Sequence, residues 1–153
     1  MLITQIDSGL FKVEIPDWQI QIFHKLGKEL KAILSDGNSH LTTRLFPAAY
    51  QSDSKANTEY ELLTHEDLRQ SHLSSIKLLA EISTYSEVSE STLIEIMQGI
   101  NILRLVLGER LEINDENNEE PTEFREDEDD YNLWLLFHLL GEILSNIIDS
   151  INP

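Results

Sequence analysis

His65, Glu66, Asp67 and His72 are the side chains whose types come nearest to ligand chemistry. Positions seven apart share a helix face, so His65 and His72 can converge with Glu61, although two turns separate them. Helical zinc sites usually need the i, i+4 spacing or a donor from elsewhere, and the cluster reads instead as ordinary helix-start residues. His138, set among leucines in LWLLFHLL, reads as a core or interface histidine satisfied by one hydrogen bond. Nucleophilic and nucleotide chemistry have no visible home. There is no G-x-S-x-G elbow, phosphate loop or dinucleotide fingerprint, and Gly9, Gly27, Gly37, Gly99, Gly108 and Gly141 stand isolated. The sequence holds no cysteine, which excludes disulfides, thiolate ligands and a thiol switch built from its own side chains. The expectation is a protein that is not an enzyme and takes neither cofactor nor metal.

Two arginines stand out because each lies beside large apolar residues: Arg44 in TTRLF and Arg104 in ILRLVLG. A guanidinium held against a core needs a carboxylate, for which Asp67, Glu61 and Glu142 are the candidates. Each arginine then either fixes helix register through a structural ion pair or faces a partner. Arg44 opens RLFPAAY, where proline disfavours the α region for Phe46. The economical reading is a corner that drops Leu45, Phe46 and Tyr50 into the core while Pro47 reverses the chain.

The chain has 153 residues, 41% of them hydrophobic, enough for one domain with a single core. Its formal charge is -17, and residues 112 to 130 carry eleven acids and one arginine, leaving -7 for the remainder. A field of this sign repels phosphate backbones, so direct nucleic-acid binding is not expected. Lys25, Lys28 and Lys31 read as the solvated side of a helix, and the acidic run as a solvated charge run, with an electrostatic contact to a basic partner as the alternative. It lacks the frame that aims oxygens at one calcium ion. The apolar run Leu133–Leu140 is too short to span a bilayer, and the first residues lack the basic and apolar regions of a secretory signal. The expected location is the cytoplasm, without a membrane.

The elements that must position these residues follow from periodicity. Residues 3–15 alternate around the turn Asp7-Ser8-Gly9 and predict a β-hairpin. Pro16 opens a helix with Trp18, Ile22, Leu26, Leu30 and Ile33 on one stripe and Gly37 at its C-cap. A short helical turn is expected through SHLTTRLF, then a helical run in SKANTEYELL. Thr64 to Asp67 has the form of a capping box starting a separate helix, which ends near Ile82. Serines near Ser89 cap the next helix, which Gly108 should end. Residues 112–130 read as a disordered acidic linker. Residues 130–151 form a last helix, apolar nearly all round, that is either central to the fold or partly covered by another chain, with a homodimer through it as one outcome. The expected fold is mostly α, a compact bundle of four to five helices with a small N-terminal β-hairpin.

Four stretches in this order, RLFPAAYQSD, EYELLTHEDLRQSHL, ILRLVLGERLEI and YNLWLLFHLLGEIL, resemble a small actinobacterial domain-of-unknown-function family that includes the oxidative-stress transcriptional regulator AosR. The similarity rests on Arg44, Leu45, Phe46, Pro47, Ala49 and Tyr50, on Thr64, Asp67 and Leu68, on Leu103, Arg104, Leu105, Leu107, Gly108, Arg110 and Leu111, and on Trp134. The resemblance implies a non-enzymatic regulator acting through a protein partner, an alternative sigma factor or RNA polymerase. It also implies an alternative, an adaptor or scaffold of Clp-type proteolysis, because genes of the family neighbour a Clp protease adaptor. Redox sensing in the family is attributed to cysteine thiols, and switching by disulfide does not carry over to a chain without cysteine.

Overall fold

A computed structural model gives the fold and describes residues 1–36, 40–46, 54–113 and 128–153, with backbone alone for residues 43, 54–63, 128 and 129. The expected hairpin is present as β1 (Leu2–Asp7) and β2 (Leu10–Glu14). Gly9 takes the left-handed φ of 68° in the turn, a conformation that costs glycine nothing. A strand that the sequence pattern does not announce, β3 (Tyr85–Ser89), pairs antiparallel with the other side of β2, with Phe11 opposite Val88. The order β1-β2-β3 thus joins the N-terminus to a segment about seventy residues later.

Pro16 presents its carbonyl to the amides of Gln19 and Ile20 and opens α1 (Asp17–Asp36). The core face of α1 is Ile20, Phe23, Gly27, Leu30 and Leu34, a rotation from the expected stripe. Trp18 is 52% exposed. Both series repeat at helical spacing, and the large Phe23 ring, 1% exposed, takes the interior position. Gly37 lies outside the described residues. A 3₁₀ helix (His40–Leu45) follows, matching the expected short turn.

The capping box at Thr64 does not start a helix. α2 runs unbroken from Ser54 to Ala80, and Thr64 sits half-buried within it. Local capping preference yields where both flanking segments are already helical. α3 (Glu90–Arg110) begins as expected, with the Ser89 hydroxyl accepting the Thr92 amide at 3.2 Å. It does not end at Gly108. Glu112 adopts a left-handed φ of 55°, the Glu112 amide donates to Glu109 O at 3.1 Å, and the Ile113 amide donates to Gly108 O at 2.9 Å. This is a Schellman closure four residues later, with glutamate where glycine is usual. α4 (Glu128–Ile151) completes the chain. The predicted linker therefore overlaps the α3 cap and the first turn of α4, and residues 114–127 lie outside the described residues.

The described residues form a mostly helical bundle of four α-helices beside a small antiparallel sheet. α3 is central, packed by α2, α4, the 3₁₀ helix and the sheet. Ile96, Ile100 and Leu103 of α3 meet Ile76 and Leu79 of α2 and Leu140 and Ile147 of α4 in one core. Glycine lets the helices approach: a Cβ on Gly99 would lie 2.8 Å from Ser75 O, and one on Gly27 2.9 Å from Ala80 Cβ. By length and composition alone α3 and residues 130–151 are each apolar enough to cross a bilayer, which the short run Leu133–Leu140 does not reveal. In α3, 44% of that apolar window is buried within the fold, against 22% in α4.

Two substitutions probe this framework. Gly99→Ala pushes a methyl against backbone and should destabilise by about 1–3 kcal/mol in denaturant unfolding. Glu112→Gly relieves the left-handed strain and should stabilise by about 0.5–1 kcal/mol, read as a higher unfolding midpoint at unchanged slope.

Candidate functional site

The residues singled out in the sequence gather where the 3₁₀ helix, the end of α3 and the first half of α4 meet. Arg44, on the last turn of the 3₁₀ helix, reaches across to α3. Its Nε donates to Glu109 Oε2 at 2.8 Å, and its Nη2 donates to Ile113 O. Among the described residues the carboxylate partner of Arg44 is thus Glu109, not Asp67 or Glu142, and the Glu61 side chain lies outside them. The Schellman turn determines this geometry, because it turns the Ile113 carbonyl out of the helix toward the guanidinium. Gly108 forms the floor: a Cβ there would lie 2.9 Å from Arg44 Nη1 and 3.2 Å from Phe137 Cε2. The expected helix terminator is instead a gap that admits a guanidinium and a phenyl ring together.

Arg104, one helical turn earlier on α3, packs against the Phe137 ring. Its Cζ stands 4.1 Å from the ring centroid, and its Nε donates to Phe137 O at 3.4 Å. No carboxylate lies within ion-pair distance of it among the described residues. The expected acidic partner is replaced by an aromatic face. Gly141 sits beneath this guanidinium, where a Cβ would lie 3.1 Å from Arg104 Nε.

A second layer lies on α2. Phe46 stacks on His65 at 4.3 Å between centroids and meets His72 edge-on at 5.5 Å. His72 Nε2 donates to Leu45 O at 2.9 Å, which fixes a proton on that nitrogen because a carbonyl can only accept. The two histidines do converge, on a phenyl ring. Among the described residues no group of three His, Asp or Glu side chains could hold a metal ion. Leu45 is buried, whereas Phe46 is half-buried against the core, and Pro47 and Tyr50 lie outside the described residues. The Glu66 carboxyl beside His65 is held below the usual range first by the Gln70 amide and then by Arg69.

The remaining signature positions are dispersed. Asp67 is exposed and Leu68 half-buried on α2, and Arg110 is exposed at the end of α3 near Ile22 and Leu136. Trp134 stands 4.2 Å from His138 and 6.3 Å from Tyr131, and its indole N–H is buried with no acceptor among the described residues. His138 itself is exposed, so its ring contacts to Trp134 and Phe137 replace the expected burial. Sequence reasoning missed Glu109, Phe137 and Gly141. Only Gly141 carried a signal, a lone glycine inside an apolar helix, which implies close approach.

Chemically the cluster is a clamp. Arg44 is engaged by Glu109 and Ile113 O, and a cleft of about 210 Å³ beside it is lined by Ser71, His72, Ser75, Gln98 and Asn101. These groups can hydrogen-bond a polar surface, and the clamp holds three elements in register. Comparison with known proteins gives a family: residues 19–151 match the family model described as a domain of unknown function, DUF2017. No curated protein and no solved structure matches the chain.

The clamp has a measurable coupling. Arg44→Ala should destabilise by about 2–3 kcal/mol, because it removes two hydrogen bonds and leaves the Ile113 carbonyl unmatched. The coupling to Glu109→Ala in a double-mutant cycle should be only about 1 kcal/mol, since both side chains are roughly a third exposed and screened by solvent. A coupling near zero would place the role of Arg44 entirely in the carbonyl contact.

Proposed function

This chain belongs to the DUF2017 family, and from that premise we propose that it is a regulatory protein, not a catalyst, that acts through a protein partner. The observation that carries the reading is where the signature residues go. Arg44, Gly108 and Arg104 gather around Phe137 and an inter-helix clamp, while Tyr131, Leu135 and Ile148 stay exposed on α4 among polar neighbours. Residues held in this way shape a surface. The functional parallel among proteins of similar signature is the oxidative-stress transcriptional regulator AosR, and the partner class is an alternative sigma factor presented with RNA polymerase. A formal charge of -17 supports a protein-mediated route to a promoter over direct contact with DNA. The chain has no cysteine, so any peroxide signal reaches it through the partner or through side chains other than thiols.

The test is affinity capture of the tagged protein from its own host, grown with and without peroxide, with the retained proteins identified by mass spectrometry. Recovery of RNA polymerase with an alternative sigma factor, lost on Arg44→Ala and retained with a surface control such as Lys28→Ala, is the expected result. Recovery of Clp components without polymerase would replace the proposal with the adaptor reading, and capture of neither would overturn it.

A further inference from the structure

α4 is the less enclosed of the two most apolar helices, with 22% of its apolar window buried against 44% in α3. Its outer flank carries a groove of about 420 Å³ lined by Arg104, His138, Gly141, Glu142, Ser145 and Ile148. Three properties of this groove bear on what fills it. It contains one cation and one anion that do not pair with each other: among the described residues Arg104 holds the Phe137 ring and carbonyl without a carboxylate, and Glu142 has no ion pair. Ile148 closes one end of it, and the half-buried Trp134 lies one turn beyond His138 at the other, each seven residues from Gly141 and on its helix face. Ile148 is 48% exposed.

We propose that this groove is the two-fold interface of a homodimer, in which the α4 helices of two copies pack antiparallel across Gly141. In such an isologous contact, residue i meets j and j meets i. A two-fold axis at Gly141 sets Trp134 against the second copy's Ile148. It also brings each Glu142 over the other copy's Gly141, where Arg104 lies. The two charges left unmatched in one copy are then matched twice, and the half-stacked guanidinium gains the carboxylate it lacks. A heterologous partner would have to supply both an acid for Arg104 and a base for Glu142 at that spacing. A second copy supplies them by symmetry. The net charge of each copy opposes association, but that long-range repulsion is screened at physiological salt, while the pairs act at contact. The inference stands apart from the identity of the regulatory partner.

Sedimentation equilibrium of the full chain tests it, from low micromolar to about 100 µM. The wild type should be dimeric. Glu142→Arg, on the exposed rim, and Ile148→Glu should each raise the dissociation constant by at least about tenfold while thermal unfolding of the monomer stays cooperative. Arg104→Glu and Glu142→Arg should each be monomeric alone, yet an equimolar mixture should form a mixed dimer, because each carries the charges the other needs. A merely structural defect cannot produce that rescue, and if Arg104→Glu fails to fold, the two rim variants decide. A monomeric wild type would assign the groove to another protein and overturn the proposal. A dimer indifferent to Glu142→Arg and Ile148→Glu would overturn it equally.

Discussion

A guanidinium carried toward a protein interior has five donors and no way to shed its charge, so the surrounding backbone must be shaped to receive it. Arg44 imposes three conditions on two elements. Its 3₁₀ helix must end beside α3, α3 must close so that the Ile113 carbonyl points outward, and position 108 must lack a side chain. The left-handed Glu112 follows from the second of these requirements. A glutamate holds a conformation that disfavours it by about 1–2 kcal/mol because the turn it makes is tied on one side by the helix cap and on the other by Arg44.

The same logic extends to Phe137. One phenyl ring reaches both the Gly108 floor, where Arg44 enters, and the guanidinium of Arg104. α3 is therefore registered against its neighbours by two cations of different character, Arg44 tying it to the 3₁₀ helix and Arg104 to α4. Arg44 is fixed by directional hydrogen bonds. Arg104 is held by a ring face that tolerates sliding. The first resists change in position, whereas the second leaves polar donors directed elsewhere. The packing glycines set the spacing within which both fit, since α2 rides on α3 at Gly99 and α1 on α2 at Gly27.

Much of this architecture is legible in the sequence, and the failures share a cause. Alternation over Phe11, Val13 and Ile15 predicts the hairpin, and Ser89 predicts the start of α3, because those signals are local and their side chains do what local chemistry prefers. β3 is invisible: YSEVS has one clearly apolar inward residue, Val88, and becomes a strand because β2 offers it an edge. Trp18 is misplaced because α1 has two apolar series at helical spacing, and only tertiary contact chooses between them. Thr64 and Gly108 have the residue types of a cap and a terminator, but neighbouring elements use them otherwise. The site is legible in its members and not in its pairing. Arg44 and Arg104 announce themselves by their apolar company, yet nothing local points to Glu109, a carboxylate in the last turn of α3.

The contrast between the two arginines also bears on how an acidic chain makes contacts. With 28 acids against 11 bases, each cation has many carboxylates to choose from, and an arginine that lacks one is informative. Arg44 and Arg69 both find acids, Glu109 and Glu66. Arg104 does not, although it is half-buried in a helix facing α4, and the acid of its own groove, Glu142, has no ion pair among the described residues either. Desolvating a guanidinium against a ring without a counter-charge is tolerable only while one edge keeps its water. Arg104 is therefore stable in one copy because the groove is open. Closing the groove removes that water, so whatever closes it must bring a carboxylate of its own.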